Sequence, residues 1–321
     1  MMNAISTTKT NVSVKKTIIS SFTTLTTITT EYPNIYSEVV GQTIACSSDG
    51  VYISLCASGV ILSSTNSGAS FTTTSLTAIY SVAMNATGQY QMAVSVGNPA
   101  CNIYISVDYG VTWTNNKANY TVANNGRWLV GICVDATGQY MYAGGGGTAG
   151  QHLLYSKNYG TTWVQITGIF NRVSATMNNT TMRVLAVDYF NNKIETTILL
   201  DTTPTEVVYQ TSLIAGTYRI TSDGGNNVVC NSSSVTTLAV STDGGATFTS
   251  TTSSPVLLTF IYYSGSILWG CSASTIYKSS NNGSTWTTVV SGLSIKSMIP
   301  VLNNTKIYIT YTTGEVIAYI P

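Results

Sequence analysis

The chain has 321 residues, a formal net charge of +1, and only 8% charged residues. Soluble proteins carry about 25%, so threonine, serine, asparagine and tyrosine must supply most of the polar surface here. Such a neutral chain has no broad electrostatic field to attract nucleic acid or an anionic membrane surface. It also repels its own copies only weakly. We therefore exclude nucleic acid as a partner and expect self-association or incorporation into a larger assembly.

The first segment, MMNAISTTKTNVSVKK, has no apolar stretch behind its start, so it does not have the pattern of a secretion signal. No run reaches the roughly 18 apolar residues of a membrane span. We expect synthesis in the cytoplasm and no membrane span, with association with a particle as an option. Residues 1–15 are predicted to be a flexible tail, and residues 16–321 a single domain.

The cysteines are widely separated and form no Cys-x-x-Cys pair. They are Cys46, Cys56, Cys101, Cys133, Cys230 and Cys271. This spacing predicts small buried thiols in strands, as in a reducing compartment. It does not indicate a disulfide framework or a metal site, and we predict neither a metal nor a cofactor.

An eight-residue pattern, S-x-[DN]-x-G-x-[ST]-[WF], recurs along the chain. Its defining residues are Asn66, Gly68 and Phe71; Asp108, Gly110 and Trp113; Asn158, Gly160 and Trp163; Asp243, Gly245 and Phe248; and Asn281, Gly283 and Trp286. Successive glycines lie 42, 50, 85 and 38 residues apart. The long interval is a double step, and a degenerate copy within it retains Asp201 but has Glu206 at the aromatic position. A period near 42 residues is the length of a propeller blade.

A second turn precedes each box, as in SSDGVY, NATGQY, DATGQY, SDGGNN and YSGSIL. Asp-Gly and similar pairs supply the positive φ that tight hairpins need, and most of these turns are flanked by apolar, strand-like runs. Each unit therefore reads as strand a, turn, strand b, loop, strand c, box, strand d. Four antiparallel strands in each unit are typical of a propeller blade.

The units end near residues 71, 113, 163, 206, 248 and 286, and residues 288–321 contain three more strands. A β-rich stretch at about residues 16–30 can supply the missing outer strand. We therefore predict an all-β, seven-bladed β-propeller of four-stranded antiparallel blades, whose last blade is closed by an N-terminal strand. Such closure removes exposed sheet edges.

The repeated pattern resembles the Asp-box, or BNR, repeat of sialidases, xyloglucanase-type glycosidases, sortilin-type receptors and photosystem assembly factors. The resemblance covers nearly the whole chain and implies a propeller, whereas function varies across the family. It implies that the box is the hairpin between strands c and d, on the face opposite the usual ligand site. It also implies that the Asp or Asn accepts hydrogen bonds from turn amides and that the aromatic residue packs beneath the turn.

Asparagine replaces aspartate in three of the five well-preserved boxes, which keeps the acceptor but removes the charge. A catalytic carboxylate or a ligand of a hard cation would not tolerate this change. We therefore interpret Asp108 and Asp243 as structural. The remaining acids show no evident pair of the kind a glycosidase needs.

The resemblance to sialidases would imply three arginines that clamp a substrate carboxylate, the first in an early Phe/Tyr-Arg-Ile-Pro motif. That motif is absent, and the first arginine is Arg127. We therefore predict no catalytic residues and favour a non-enzymatic protein.

The candidate ligand face is the one formed by the b–c and d–a loops, which are longest in blades 2 to 4. Its candidate residues are Tyr120, Arg127, His152, Arg172, Asp188 and Tyr189. Planar polar and aromatic side chains of this kind suit protein or glycan contacts. His152 near Asp188 could act as a general base, although a single loop histidine more often has no such role. The glycine run at residues 143–150 lacks the Lys-Ser/Thr ending of a phosphate loop.

Three hypotheses follow for function. The first is a non-enzymatic binding or structural propeller that contacts protein or glycan through the b–c and d–a loop face, in a larger assembly such as a virion surface. The first alternative is a carbohydrate-active enzyme, a hydrolase or lyase, that uses the same face. The second alternative is an assembly or chaperone factor for a protein complex.

Overall fold

A computed structural model of the chain describes residues 18–19, 22–27, 44–57, 59–95, 101–116, 128–146, 151–168, 172–178, 183–188, 193–198, 206–211, 217–232, 235–251, 254–301, 304–311 and 315–321. These residues form 29 β-strands. The strands are arranged in small antiparallel sheets, as the repeated strand-turn-strand pattern predicts.

The first three blades are four-stranded, and their strands follow one another along the chain. Blade 1 contains β3 (Ile44–Cys46), β4 (Ile53–Ala57), β5 (Val60–Ser64) and β6 (Thr72–Thr73). Blade 2 contains β7 (Ile79–Met84), β8 (Gln91–Ser95), β9 (Asn102–Ser106) and β10 (Thr114–Asn115). Blade 3 contains β11 (Trp128–Val134), β12 (Met141–Gly146), β13 (Gln151–Ser156) and β14 (Val164–Gly168).

The next three blades repeat this order. Blade 4 contains β15 (Arg172–Asn178), β16 (Arg183–Asp188), β17 (Lys193–Ile198) and β18 (Glu206–Thr211). Blade 5 contains β19 (Thr217–Ser222), β20 (Val228–Ser232), β21 (Leu238–Ser241) and β22 (Thr249–Thr251). Blade 6 contains β23 (Phe260–Ser264), β24 (Ile267–Cys271), β25 (Thr275–Ser279) and β26 (Thr287–Ser291).

The prediction of seven four-stranded blades is wrong, because the structure has six of them. The remaining sheet, here called the closing sheet, has five strands in the order β1 (Ile18–Ile19), β2 (Phe22–Thr27), β29 (Glu315–Tyr319), β28 (Ile307–Tyr311) and β27 (Ile295–Pro300). β2 pairs antiparallel with β29, and β1 then pairs with β2. The physical reason for the difference is that the N-terminal stretch folds back as a hairpin instead of adding a single strand.

The sheets form a closed ring around their first strands. Each first strand contacts that of the next sheet, in the order β3, β7, β11, β15, β19, β23 and β27, and β27 contacts β3. A ring of this kind leaves no sheet face without a neighbour. The second strands are therefore buried along their whole length in blades 1, 2 and 5, where all five residues of β4, β8 and β20 are buried.

The hydrophobic core consists of layers between neighbouring sheets. Between blades 2 and 3, Met92 and Ile103 pack with Met141, Leu154 and Trp163. Comparable layers join blade 1 and blade 6 to the closing sheet. Since each layer takes side chains from two sheets, the stability of one blade depends on its neighbours.

The cysteines follow the prediction of buried thiols. None of the six, all of which lie in the described ranges, is in a disulfide; five of them are buried, and Cys46 is half-buried. Burial raises the pKa of the Cys46 and Cys271 thiols to about 12, so they lack the thiolate character of reactive cysteines. Among the described residues, no helix has the length and hydropathy required to span a bilayer.

Candidate functional site

The box of blade 2 is a hairpin held by its own side chains. The Asp108 carboxylate accepts hydrogen bonds from the Thr112 amide (2.8 Å) and the Thr112 hydroxyl (2.5 Å). The Ser106 hydroxyl donates to the same carboxylate at 2.8 Å and accepts from the Gly110 amide at 2.9 Å. Each of these bonds satisfies a donor in a tight turn, and together they occupy both oxygens of Asp108.

Asparagine makes the same contacts in the boxes of blades 1, 3 and 6. In blade 3, Asn158 Oδ1 accepts from the Thr162 amide at 2.9 Å, and Nδ2 donates to the Thr162 hydroxyl at 2.8 Å. Asn66 and Asn281 repeat this arrangement with Ser70 and Thr285. The direction of the side-chain hydrogen bond is reversed relative to Asp108, but the turn is the same, so this geometry does not need a charge.

The two box aspartates whose side chains are described are held as carboxylates. Burial opposes ionisation, but hydrogen bonds from Thr247 and Ser241 outweigh it and lower the pKa of Asp243 to about 2. For Asp108, burial again opposes ionisation, but hydrogen bonds from Thr112 and Ser106 lower the pKa below its ordinary value. A carboxylate with a lowered pKa is a poor general acid at neutral pH.

Two consecutive residues in each described box have positive φ. In blade 2 they are Tyr109 (φ 64°) and Gly110 (φ 81°), and in blade 3 Tyr159 (φ 57°) is followed by a glycine in the same conformation (φ 77°). A side chain at the first of these positions is strained. The strain is offset by the hydrogen bonds of the turn and, in these two blades, by contacts of the tyrosine ring.

The boxes and the a–b turns lie on the same face of the propeller. The Tyr159 amide donates to the Gln139 carbonyl oxygen of its own blade at 3.0 Å, and the Tyr109 amide donates to the Gln89 carbonyl oxygen at 3.2 Å. The same hydrogen bond joins Gly244 to Asn226 in blade 5 at 2.8 Å. We call this face the box face.

Tyrosines link neighbouring blades across the box face. Tyr52 of blade 1 stacks on Tyr109 of blade 2 with ring centroids 4.4 Å apart, and Tyr90 of blade 2 contacts Tyr159 of blade 3 at 4.6 Å. The sequence alone does not predict these pairs. A tyrosine ends each of the turn sequences DGVY and TGQY. Which ring it contacts depends on the angle between neighbouring blades, which the sequence does not show.

The acids of the a–b turns are also engaged in hydrogen bonds. Asp135, which is only 2% exposed, accepts from the Thr137 hydroxyl (2.6 Å) and from the Tyr140 amide (2.9 Å). Asp49 accepts from the Ser47 hydroxyl (2.5 Å), and Asp223 accepts from the Gly225 amide (2.8 Å). Each of these carboxylates therefore stabilises a hairpin, as the box acids do. Within the described ranges, no three His, Cys, Asp or Glu side chains come together as a group that could hold a metal ion.

The predicted ligand residues are only partly covered by the described ranges. Tyr120, Arg127 and Tyr189 lie outside them, as does Asp201 of the degenerate box. His152 lies in β13, opposite Thr167 of β14. The backbone of blade 4 places Arg172 and Asp188 directly opposite each other on β15 and β16.

These three positions lie at the strand ends away from the box face. β13 ends at Ser156, where the box of blade 3 begins, and His152 is the second residue of the strand. His152 therefore lies at the end of β13 away from the box. Arg172 begins β15 and Asp188 ends β16, so both lie beside the d–a and b–c loops. The fold thus brings Arg172 and Asp188 together in one blade, while His152 belongs to the blade before it.

Comparison with known proteins gives matches only at the level of structure. No protein-family model matches the chain, and no curated protein matches it. Among solved structures, YCF48 bound to D1 peptide superimposes with a TM-score of 0.62 at 14% identity, covering 87% of this chain and 93% of that chain. YCF48 from Cyanidioschyzon merolae gives 0.62 at 12% identity over 90% of this chain and 98% of that chain.

Two further solved structures share the architecture. The mitotic checkpoint complex contains a chain with a TM-score of 0.68 at 10% identity, covering 100% of this chain and 99% of that chain. The hydrazine synthase of Kuenenia stuttgartiensis gives 0.63 at 10% identity over 90% of this chain and 97% of that chain. At such low identity the likeness extends to the fold alone, so this chain is similar in architecture to these proteins: it is a β-propeller of small antiparallel sheets.

Proposed function

We propose that this chain is a non-enzymatic β-propeller that binds a protein partner within a larger assembly. The observation that carries the proposal is that the described carboxylates already accept hydrogen bonds within turns. Asp49, Asp108, Asp135, Asp223 and Asp243 are the acids whose side-chain contacts are described, and each accepts the hydrogen bonds of a turn. Acids used in this way stabilise hairpins and are not available for general acid–base chemistry.

We further propose that the repeated hairpins are Asp-boxes. Support comes from the contacts of Asp108 and Asn158 with the residue four positions later, and from the repetition of these contacts in five of the six blades. This interpretation gives the box face a structural role. It leaves the loops of the opposite face as the contact surface.

The proposed contact surface is the b–c and d–a loop face with Tyr120, Arg127, His152, Arg172, Asp188 and Tyr189. The backbone register that pairs Arg172 with Asp188 in blade 4 supports including both in this surface. A protein ligand is supported by the likeness in fold to YCF48, which has been solved bound to D1 peptide. The net charge of +1 supports packing into an assembly or particle surface such as a virion, because copies repel one another weakly.

A binding selection tests this proposal. The purified chain is immobilised and used to select from a displayed library of random peptides, and the enriched peptides are titrated against variants. Tyr189→Ala and Arg172→Ala are expected to weaken binding, whereas Thr287→Ala beside the blade 6 box, where the threonine is exposed, is the matched control. Failure to enrich any peptide, or equal weakening by Thr287→Ala, would contradict the proposal.

The same preparations are incubated with a panel of glycoside substrates. The proposal predicts no turnover. Hydrolysis or elimination that disappears in Asp188→Ala would overturn it and favour the carbohydrate-active alternative.

A further inference from the structure

A groove on the outer rim separates blade 1 from the box of blade 2. It has a volume of about 570 Å³, and eight of its eleven lining residues carry a hydroxyl group, among them Thr72, Thr73 and Thr74 of the outer edge of blade 1. The other three are Leu76, Val111 and Trp113. The volume lies within the range of about 300–1,000 Å³ found for small-molecule sites. We call it the Thr72 groove.

A smaller groove of about 210 Å³ lies on the other side of the same box, between blades 2 and 3. It is lined by Val107, Thr114, Asn116 and Tyr159, and Thr112 lines both grooves. The two grooves therefore flank the blade 2 box and share Thr112, and we call the two together the track. Val107 (54%) and Tyr159 (39%) are unusually exposed for large apolar or aromatic side chains.

The chemistry of this track is neutral and of two kinds. The hydroxyl and amide groups both donate and accept hydrogen bonds, while Trp113 and Tyr159 supply aromatic surface. None of the residues that line either groove is charged. An anionic ligand would find no countercharge, and a purely apolar ligand would remove hydroxyl groups from water without replacing their hydrogen bonds.

One polar atom of the groove is left without a partner. The Thr74 hydroxyl oxygen is buried and makes no hydrogen bond with any residue that the structure describes. A buried hydroxyl in this state costs free energy, and a ligand group that bonds it would recover that cost. By contrast, the indole nitrogen of Trp113 already donates to the Gly110 carbonyl oxygen at 3.1 Å, so that ring is fixed in place as a surface for contact.

We propose that this track binds a neutral oligosaccharide. Sugar rings carry hydroxyl groups on their rims and C–H groups on their faces, which match the hydroxyl residues and the aromatic rings respectively. The Thr72 groove runs from the blade 2 box along β6 to the start of the d–a connection of blade 1, where Thr74, Ser75 and Leu76 line it. None of the six candidate residues of the loop face is among the described residues that line the two grooves, so the inference does not rest on the proposed protein-binding function.

The experiment screens purified chain against neutral oligosaccharides of cello-, malto-, manno-, galacto- and N-acetylglucosamine series, followed by titration calorimetry with the best of them. Thr72→Arg puts a charged side chain at the exposed edge of the groove. Thr287→Arg is the matched control, because Thr287 is the exposed first residue of β26 and follows its box aromatic as Thr72 does. Thr72→Arg is expected to weaken binding at least about tenfold, and Thr287→Arg to leave the affinity unchanged.

The proposal is overturned if no neutral series binds the wild-type chain, if both variants bind alike, or if peptides alone occupy the groove. A second arm compares a glycoprotein before and after enzymatic removal of its glycans, which separates a protein-borne glycan from a free saccharide. If Thr72→Arg abolishes oligosaccharide binding but retains peptide binding at the loop face, the two sites are separate and the proposed function stands or falls on its own.

Discussion

The Tyr308 hydroxyl donates a hydrogen bond to the Gly50 carbonyl oxygen at 2.8 Å, although 258 residues separate them in the chain. Tyr308 belongs to the closing sheet, and Gly50 to the a–b turn of blade 1. Around them Val301 and Val316 pack against Ile53. The ring is thus closed by side chains of the seam between its last and first sheets, in addition to the pairing of β2 with β29.

Tyr308→Phe should weaken this seam. The substitution removes one donor and leaves the Gly50 carbonyl oxygen without that partner, so we expect the free energy of unfolding to fall by about 1–2 kcal/mol. Urea unfolding with an unchanged slope would measure it. No change in midpoint would show that the seam does not limit the stability of the ring.

A methyl group at Gly138 should be costly because the a–b turns of neighbouring blades approach closely there. Gly138 has φ +88°, and an added Cβ would lie 2.6 Å from Tyr90 Cβ. We expect Gly138→Ala to lose about 2–4 kcal/mol, from backbone strain and from the clash. Gly292 is the control, since it has φ +81° but nothing within 4 Å. Gly292→Ala should lose only about 1 kcal/mol, and equal losses in the two variants would contradict the proposed blade contact.

The box tryptophans are not equivalent. Trp113 Nε1 donates to the Gly110 carbonyl oxygen at 3.1 Å, whereas Trp286 Nε1 is buried without a partner among the described residues. Replacement by phenylalanine therefore removes a hydrogen bond in one case and an unsatisfied donor in the other. Trp113→Phe should cost about 1 kcal/mol more than Trp286→Phe, as measured by parallel thermal unfolding. The reverse order would show that ring volume, and not the indole hydrogen bond, determines the effect.

Stability should be highest between about pH 4 and 9. Burial raises the pKa of Tyr262 and of Tyr308 to about 12, from an ordinary value of 10.0, and raises that of Cys46 from 9.0 to about 12. These groups hold their protons more tightly when folded, so the stability they contribute is lost as the pH rises from about 9 to 12.

On the acid side, Asp243 has a folded pKa of about 2, below its ordinary 3.8. Its contribution is present above pH 4 and is lost as the pH falls toward 2, although solvent exposure makes it small. Urea midpoints measured from pH 3 to 11 test both limits. A midpoint that does not change between pH 8 and 11 would contradict the burial of the thiols and phenols.

Periodic features of the sequence predicted most of the fold. The box glycines and the a–b turns determine where each hairpin lies, because positive φ and side-chain hydrogen bonds are local requirements. The five-stranded closing sheet was not predicted, since β1 has only two residues and no clear turn signal precedes β2. The contact between the tilted rings of Tyr90 and Tyr159 could not be predicted either, because it depends on the angle between two blades.

The candidate sites differ in how far the sequence could locate them. Loop length and residue type indicated the Arg172 and Asp188 region, and the backbone register then placed the two opposite each other. Neither loop length nor residue type indicated the Thr72 groove in the sequence. Threonines in outer strands are common in this chain, and only the packing of blade 1 against the box of blade 2 shows which of them line a groove.

Urea unfolding of Asp108→Asn and Asp108→Ala tests whether Asp108 serves its turn as a hydrogen-bond acceptor or through its charge. If it serves as an acceptor, the charge is not needed. An asparagine can keep the Thr112 amide bond and donate to the Thr112 hydroxyl, as Asn158 does with Thr162. We expect the free energy of unfolding to fall by less than about 0.5 kcal/mol for the asparagine and by about 1–2 kcal/mol for the alanine. If the asparagine variant is as unstable as the alanine variant, the negative charge itself is required and the structural role assigned to Asp108 is wrong.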